Sequence, residues 1–160
     1  MLSFLKKNKN KQLVAVIDGK CIPIEQVNDQ VFASKAMGDG VGIVPNGNVV
    51  VSPCDGNLTM VASTKHAFGL TGKDGIEVMV HIGIDTVALG GNGFTVLVEQ
   101  GCDVKMGQPI IEFDAEFMKS HNLDMTTMMI VLNEASHGVK EKYSNKNVKC
   151  GKDIVIEYGE

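Results

Sequence analysis

The sequence predicts an all-β protein whose strands form a sandwich. Short apolar runs follow one another along the chain, and turns rich in glycine, proline, asparagine and aspartate separate them. Brief runs at this close spacing are typical of an all-β protein. Residues 114–121 form the one stretch that suggests a helix, with Asp114 as its N-cap.

The predicted strands follow in order from the turns that end them. Asp18-Gly19 ends the first apolar run, and Asn46-Gly47 and Asp55-Gly56 lie on either side of a later one. Asparagine, aspartate and glycine tolerate the backbone angles that tight turns need. The strands predicted in this way are residues 13–17, 41–44, 49–51 and 58–61, followed by a hairpin.

Two segments resemble each other. VKMGQPIIE at 104–112 and VKCGKDIVIE at 148–157 each place a glycine turn before an apolar strand. The copies do not repeat at a fixed period, so the pattern is not that of a solenoid. We interpret it as a turn and strand unit that recurs within the sandwich; chance reuse of a common turn is the alternative.

Length and composition favour one folded domain. A chain of 160 residues with 44% hydrophobic residues is long enough to form a sizeable core. We expect residues 1–12, a lysine-rich segment with a short apolar start, to form a disordered leader, and residues 13–160 to form a single domain. A weak membrane-surface segment is the alternative for the leader. No apolar run reaches transmembrane length.

Charge and cysteine usage narrow the function classes. The net charge of −4 argues against nucleic acid as a partner. The four cysteines have neither the spacing of a metal site nor a disulfide-dense pattern, which favours reduced thiols in the cytoplasm. All fifteen basic residues are lysines. Because no guanidinium is present, a phosphate group would be held by histidine, hydroxyl and backbone N–H groups, or by a partner protein.

The strongest pattern is a hairpin that carries two histidines. Apolar residues occupy every even position from 76 to 84, which predicts a strand with one buried face. The turn TGKDG at 71–75 precedes it, so paired residues should have numbers that sum to about 146–148. If His66 and His81 share a face, their Cβ atoms lie about 4.5–5.5 Å apart. Asp85 has the parity of His81, and Phe68 has that of His66.

Three interpretations of the pair remain open from these residues alone. The two histidines have no joint role, or they bind a metal such as zinc, or one ring is a nucleophile and the other stabilises developing charge. Neutral imidazole is nucleophilic near pH 7, and a phosphorylated ring is a transferable species. The chain has no H-x-H pair and no HExxH motif, which makes a zinc hydrolase the weakest candidate.

The segments TKHAFGL and HIGIDTVALGGNGF closely resemble the active-site signature of the glucose-type enzyme IIA proteins of the bacterial sugar phosphotransferase system. VFASKAMGDGVGIVP and VSPCDGNLTMV resemble the same family, and the likeness covers roughly residues 29–134. The resemblance implies an antiparallel β-sandwich with a few short helical turns. It also implies a cytoplasmic phosphotransferase component that requires no cofactor.

The resemblance assigns roles to individual residues. It implies that His81 accepts the phosphoryl group and that His66 stabilises it, with Thr64 and Asp85 beside the pair. It also implies an apolar docking surface for partner proteins, which comprises Phe32, Ala36, Met37 and Phe68.

The predicted function is therefore that of a phosphocarrier. The resemblance implies that HPr is the donor and that the enzyme IIB domain of a sugar transporter is the acceptor, so that the membrane is involved only through that transporter. The alternative is a regulatory binding module whose docking depends on its phosphorylation state. Zinc at His66 and His81 remains a further option.

Overall fold

A computed structural model describes residues 11–159. Fourteen strands form three sheets in this part of the chain, and every pairing between neighbouring strands is antiparallel. In chain order the strands are β1 (Lys11–Val14), β2 (Gly19–Pro23), β3 (Asp39–Pro45), β4 (Val49–Val51), β5 (Gly56–Val61), β6 (Ala67–Gly72), β7 (Glu77–Ile82), β8 (Phe94–Val96), β9 (Asp103–Val104), β10 (Pro109–Phe113), β11 (Thr127–Val131), β12 (Gly138–Lys142), β13 (Lys146–Val148) and β14 (Ile154–Gly159).

Helical structure is short within residues 11–159. The helices are α1 (Gln30–Ala33) and α2 (Ala115–Ser120), and there are 3-10 turns at Ile24–Gln26 and Thr86–Leu89. Asp114 caps α2 as predicted, because its carboxylate accepts a hydrogen bond from the Phe117 N–H at 3.0 Å. The prediction of an all-β antiparallel sandwich with a few short helical turns is confirmed.

The large sheet has eight strands in the order β13-β2-β3-β11-β7-β6-β5-β9. Two three-stranded sheets, β1-β14-β12 and β4-β10-β8, complete the sandwich. One core cluster takes buried residues from all three sheets, among them Leu13, Val50 and Val80. The even positions from 76 to 84 are all buried, as the alternation predicts.

The two copies of the glycine turn occupy equivalent places in the fold. Gly107 and Gly151 both have positive φ angles, of +84° and +74°, and a Cβ built on Gly151 would lie 3.1 Å from the Gly107 Cα. Asp55 accepts a hydrogen bond from the first turn and Asp18 from the second, at 2.8 and 2.9 Å. The strand pairings β4-β10-β8 and β1-β14-β12 also correspond, so the fold is an approximate internal duplication.

The predicted leader boundary at residue 12 is wrong by two residues. Lys11 and Gln12 belong to β1, where they pair with Tyr158 and Glu157 of β14. A backbone that joins a sheet satisfies its N–H and C=O groups there, which a disordered leader does not. Residues 1–10, the remainder of the predicted leader, lie outside the described part of the chain.

Candidate functional site

His81 lies on β7 and faces the outer side of the large sheet, opposite Ala67 of β6. Its ring is half-buried, and its Nδ1 donates a hydrogen bond to the carbonyl oxygen of Gly83 at 3.0 Å. A carbonyl oxygen only accepts, so the proton of the neutral ring is on Nδ1. The lone pair of Nε2 is therefore free.

The chain bends sharply after β7 to bring that carbonyl to the ring. Gly83 has a φ of +83°, and a Cβ at this position would lie 2.5 Å from Thr86 Cγ2 and 3.0 Å from Met125 Sδ. Its N–H donates to the Thr126 carbonyl at 3.1 Å. Only glycine fits this position, which makes the orientation of His81 a consequence of the local backbone.

His66 reaches the site from just before β6. Its carbonyl oxygen accepts a hydrogen bond from the Ile82 N–H at 2.7 Å, and its Nδ1 lies 2.7 Å from Thr64 Oγ1. The His66 and His81 ring centroids are 4.8 Å apart, with the planes at 80°. The structure thus brings together the two histidines and Thr64. The pairing of Ala67 with His81 gives a sum of 148, and an unbroken strand in this register would put His66 on the opposite face from His81.

The predicted role of Phe68 in docking is wrong. The parity argument assumes that the strand continues through His66, but Lys65 has a φ of +62° and β6 begins only at Ala67. His66 consequently leaves the pleat, while Phe68 stays in it opposite Val80, with 0% of its surface exposed. A side chain in the core cannot contact a partner.

Asp85 also differs from its predicted placement. The strand β7 ends at Ile82, and Asp85 is an exposed residue in the turn that follows, with a φ of +59°. Strand parity therefore does not set its position. Its charge still acts on His81 and favours the protonated ring, but burial and His66 outweigh it and lower the His81 pKa.

The remaining predicted docking residues separate into two groups. Phe32 of α1 is buried, at 5% exposed, and its ring lies 5.0 Å from that of His81. It covers the histidine and offers little surface of its own. Ala36 and Met37 follow α1 and are exposed, as a docking role requires.

Three further residues, which are close in sequence to Phe32 or Asp85, are not among the predicted site residues. Asp29 caps α1 by accepting from the Val31 N–H at 3.0 Å, and its charge acts on His81. Val31 and Val87 are large apolar side chains that are more than half exposed. The N-cap signal at Asp29 was readable, but no sequence pattern showed that α1 packs on His81.

Both histidines are held in the neutral form. Burial lowers the pKa of His81 below the usual value for imidazole, and the neighbouring His66 lowers it further. The opposing effects, which are smaller, come from the bond to Gly83 and from the carboxylates of Asp29 and Asp85. Burial also lowers the pKa of His66, against a smaller effect of the Thr64 backbone, which raises it. The site is suited to nucleophilic attack by Nε2 of His81 near neutral pH.

A search of residues 11–159 finds no group of three His, Cys, Asp or Glu side chains that could together hold a metal ion. The same residues contain no helix that is long and apolar enough to cross a membrane.

The fold and site define a class of protein: an all-β domain that presents two adjacent histidines, each with a lowered pKa. The family model described as phosphoenolpyruvate-dependent sugar phosphotransferase system, EIIA 1, matches residues 11–137. The chain belongs to this family. It is a phosphotransferase component with a phosphocarrier role, and this identification favours the carrier over the regulatory binding module.

Relatives and a solved structure agree with the family match. The glucose-specific EIIA component of Borreliella burgdorferi is 42% identical over 132 residues, which cover 82% of this chain and 70% of the relative. The N-acetylglucosamine-specific EIICBA component of Klebsiella pneumoniae is 40% identical over 92% of this chain, but the chain spans only 23% of that fused protein. The glucose permease IIA of Mycoplasma capricolum superposes with a TM-score of 0.85 at 34% identity, covering 94% of this chain and 97% of that structure.

Proposed function

We propose that Nε2 of His81 is the atom that accepts and passes on the phosphoryl group. The observation that carries this proposal is the hydrogen bond from His81 Nδ1 to the Gly83 carbonyl at 3.0 Å, because it leaves the Nε2 lone pair free. In the accepting step, Nε2 forms a bond to phosphorus while the bond to the donor nitrogen breaks. The donor ring keeps the electron pair of the broken bond.

His66 stabilises the charge that develops on the phosphoryl oxygens. For this role Thr64 Oγ1–H donates to His66 Nδ1, which places the ring proton on Nε2, where it can bond a phosphoryl oxygen. The 4.8 Å separation of the two rings supports this geometry. We expect His66 to matter less for accepting the group than for passing it on.

The charges around His81 favour transfer over tight binding. Asp29 and Asp85 act on His81 with negative charge and repel a dianionic phosphoryl group. The chain also lacks arginine, so it offers no bidentate clamp for phosphate. Both features suit a group that is held briefly and released.

The partners follow from the family. We propose that HPr is the donor and that an IIB domain of a sugar transporter is the acceptor, with the transfer in the cytoplasm. The EIICBA component of Klebsiella pneumoniae, whose name joins A to B and C components, supports an IIB partner. Ala36 and Met37, together with Val31 and Val87, form the proposed docking surface.

The proposed transfer requires no cofactor, and zinc at the histidine pair would need a further ligand from a partner.

The test is phosphoryl transfer from phosphorylated HPr to the wild-type protein, His81→Gln and His66→Gln, with His121→Gln as a control in an exposed histidine. We expect an acid-labile, base-stable label on all of these except His81→Gln. His66→Gln should accept the group and fail to pass it to an IIB domain. A wild-type protein that stays unlabelled beside a competent donor would refute the proposal, and a labelled His81→Gln would refute the assignment to His81.

A further inference from the structure

The outer face of the large sheet carries an open groove that extends from the pair Gly69 and Met79 toward the pair Thr71 and Glu77. The groove has a volume of about 370 Å³. Its lining includes two methionines, Met60 of β5 and Met79 of β7, with Leu132 beside them. Met60 is 38% exposed and Leu132 is 40% exposed, so the groove presents apolar surface to solvent.

A bulge and a glycine aim Met60 into this groove. The register of β5 shifts between Leu58 and Met60, where Met60 pairs with Gly69. Gly69 has no side chain, and the Cβ and Cε of Met60 lie 3.4 and 3.8 Å from the position that a Gly69 Cβ would take. The thioether of Met60 therefore lies across β6 and remains open to solvent.

Met60 lies on the same face of the large sheet as His81. Gly69 pairs with Met60 on one side and with Met79 on the other, and Met79 is two residues from His81 on the same face of β7. Two strand spacings and one two-residue step put Met60 about 12 Å from His81. A typical partner covers about 800 Å² on each side, which is a circle of about 16 Å radius. A partner whose contact area of this size is centred on His81 therefore also covers Met60.

We propose that Met60 is an oxidation site that controls phosphoryl transfer at His81. The co-reactant is a two-electron oxidant of the peroxide class. The Met60 sulfur attacks the peroxide, an S–O bond forms, the O–O bond breaks, and the departing oxygen leaves as water after taking up a proton. Sulfur is oxidised to the sulfoxide and the peroxide is reduced. The inference rests on the proposed function, since the rate that changes is that of transfer to His81.

The sulfoxide acts on the contact between Met60 and the partner. It replaces an apolar, polarizable sulfur by a strongly polar group, and a partner that buries this group without a hydrogen bond must desolvate it. Methionine sulfoxide reductases reverse the reaction, which makes the modification a switch and not only damage. Nothing in the bonding of His81 changes, so the effect should appear in the apparent KM for the donor and not in the chemical step.

The experiment compares each protein before and after treatment with dilute hydrogen peroxide, with peptide mass spectrometry to place the added oxygen. All proteins carry Met37→Leu, because Met37 of the docking surface is also exposed, at 40%. They are this background alone, the background with Met60→Leu and the background with Met106→Leu. Met106 is the control because it is also exposed, at 50%, but belongs to the glycine turn between β9 and β10. We expect oxidation to raise the KM for phosphorylated HPr about five- to tenfold in the background and in the Met106→Leu protein. The Met60→Leu protein should keep its own untreated value, and a sulfoxide reductase should restore the background protein.

Three results would overturn the inference. They are a Met60 that stays unoxidised while Met106 is converted, a Met60 sulfoxide that leaves KM unchanged, or a loss that persists in Met60→Leu. Untreated wild-type protein separates this inference from the proposed function. If it carries no label on His81, the proposed function and the inference about Met60 are both wrong. If it is labelled and transfer is insensitive to Met60 oxidation, only the inference about Met60 is wrong.

Discussion

At the scale of single residues, the protonation state of His81 depends on what covers its ring. Phe32 packs against it with a centroid distance of 5.0 Å, and burial is the largest cause of the lowered pKa. A lowered pKa keeps the ring neutral, and hence nucleophilic, down to a more acidic pH than an exposed histidine would allow.

Replacing Phe32 with alanine should expose the ring of His81 and raise its pKa toward the usual value of about 6.5. Phosphoryl acceptance should then decline at a higher pH than in the wild type, because a protonated Nε2 has no lone pair. An NMR titration of the His81 ring protons and a pH profile of the transfer rate measure the two effects. Phe32→Leu, which keeps an apolar cover, is the control. An unchanged pKa in Phe32→Ala would show that other neighbours dominate the burial.

Whether the sequence predicts a contact between two residues depends on how far apart they are along the chain. The hairpin that carries His66 and His81 follows from alternation and one turn, so it could be read from the sequence. The face that His66 occupies could not, because the left-handed backbone at Lys65 takes His66 out of the alternation, whereas Phe68 stays in it on the buried face. The contact of Phe32 with His81 joins segments far apart in sequence, and no local pattern encodes it.

At the scale of elements, the hairpin of β6 and β7 is anchored at its turn, away from the histidines. Asp74 Oδ2 accepts a hydrogen bond from the Tyr158 hydroxyl at 2.9 Å and lies 3.3 Å from Lys11 Nζ. Burial raises the pKa of Asp74, but the hydrogen bonds from Ile76, Tyr158 and Lys11 outweigh it, so the pKa lies below its usual value. The turn is thereby tied to both β1 and β14.

Asp74→Ala should lower the free energy of unfolding by about 1–3 kcal/mol, because it leaves the Tyr158 hydroxyl and the Ile76 N–H without their acceptor. A group whose pKa is lowered on folding stabilises the protein above its unfolded pKa, about 3.9 for aspartate. This stabilisation is lost as the pH falls through the folded value, so the gap between variant and wild type should close in acid. Urea unfolding at several pH values measures it.

Lys73→Ala, at an exposed position of the same turn, is the control for Asp74→Ala. Phosphoryl acceptance should survive in both variants, since the histidines lie at the other end of the hairpin. A gap that is independent of pH would contradict the role of the ionised carboxylate.

Helices and strands differ in how strongly the sequence predicts them. The strand at β7 and the capped helix α2 were predicted because alternation and an N-cap are strong signals. The helix α1 was missed, since four residues are too few for a helical period to appear. The predicted strand at residues 13–17 is only partly right, because β1 ends at Val14 and the backbone beyond it bonds to several loops.

At the scale of the whole molecule, the two copies of the glycine turn meet where the halves of the fold join. The repeat of residues 104–112 and 148–157 was visible in the sequence, and the structure shows its cause: Gly107 and Gly151 approach each other so closely that a side chain would intrude. Which strands the two turns connect depends on sheet order, which the sequence pattern did not supply.

Gly151→Ala should destabilise the protein more than Gly101→Ala. Both positions have a positive φ, but a Cβ at Gly151 meets the Gly107 backbone at 3.1 Å, whereas a Cβ at Gly101 meets nothing within 4 Å. We expect a loss of about 1 kcal/mol for the strained backbone alone and about 2 kcal/mol or more where overpacking is added. Thermal unfolding of the two variants compares the costs, and equal losses would argue against the contact between the turns.

The pairing of β1 with β14 has a consequence for how the domain can be tethered. Lys11 lies opposite Tyr158, so both ends of the described chain leave from one place, next to the turn at Asp74. The residue pair Thr71 and Glu77 near that turn is about 14 Å along the strands from the pair Ala67 and His81. A linker at either end would therefore raise the effective concentration of an attached domain without crossing the histidine face. The same domain could serve a fused transporter or a separate one, and its catalytic surface would stay open to both partners in turn.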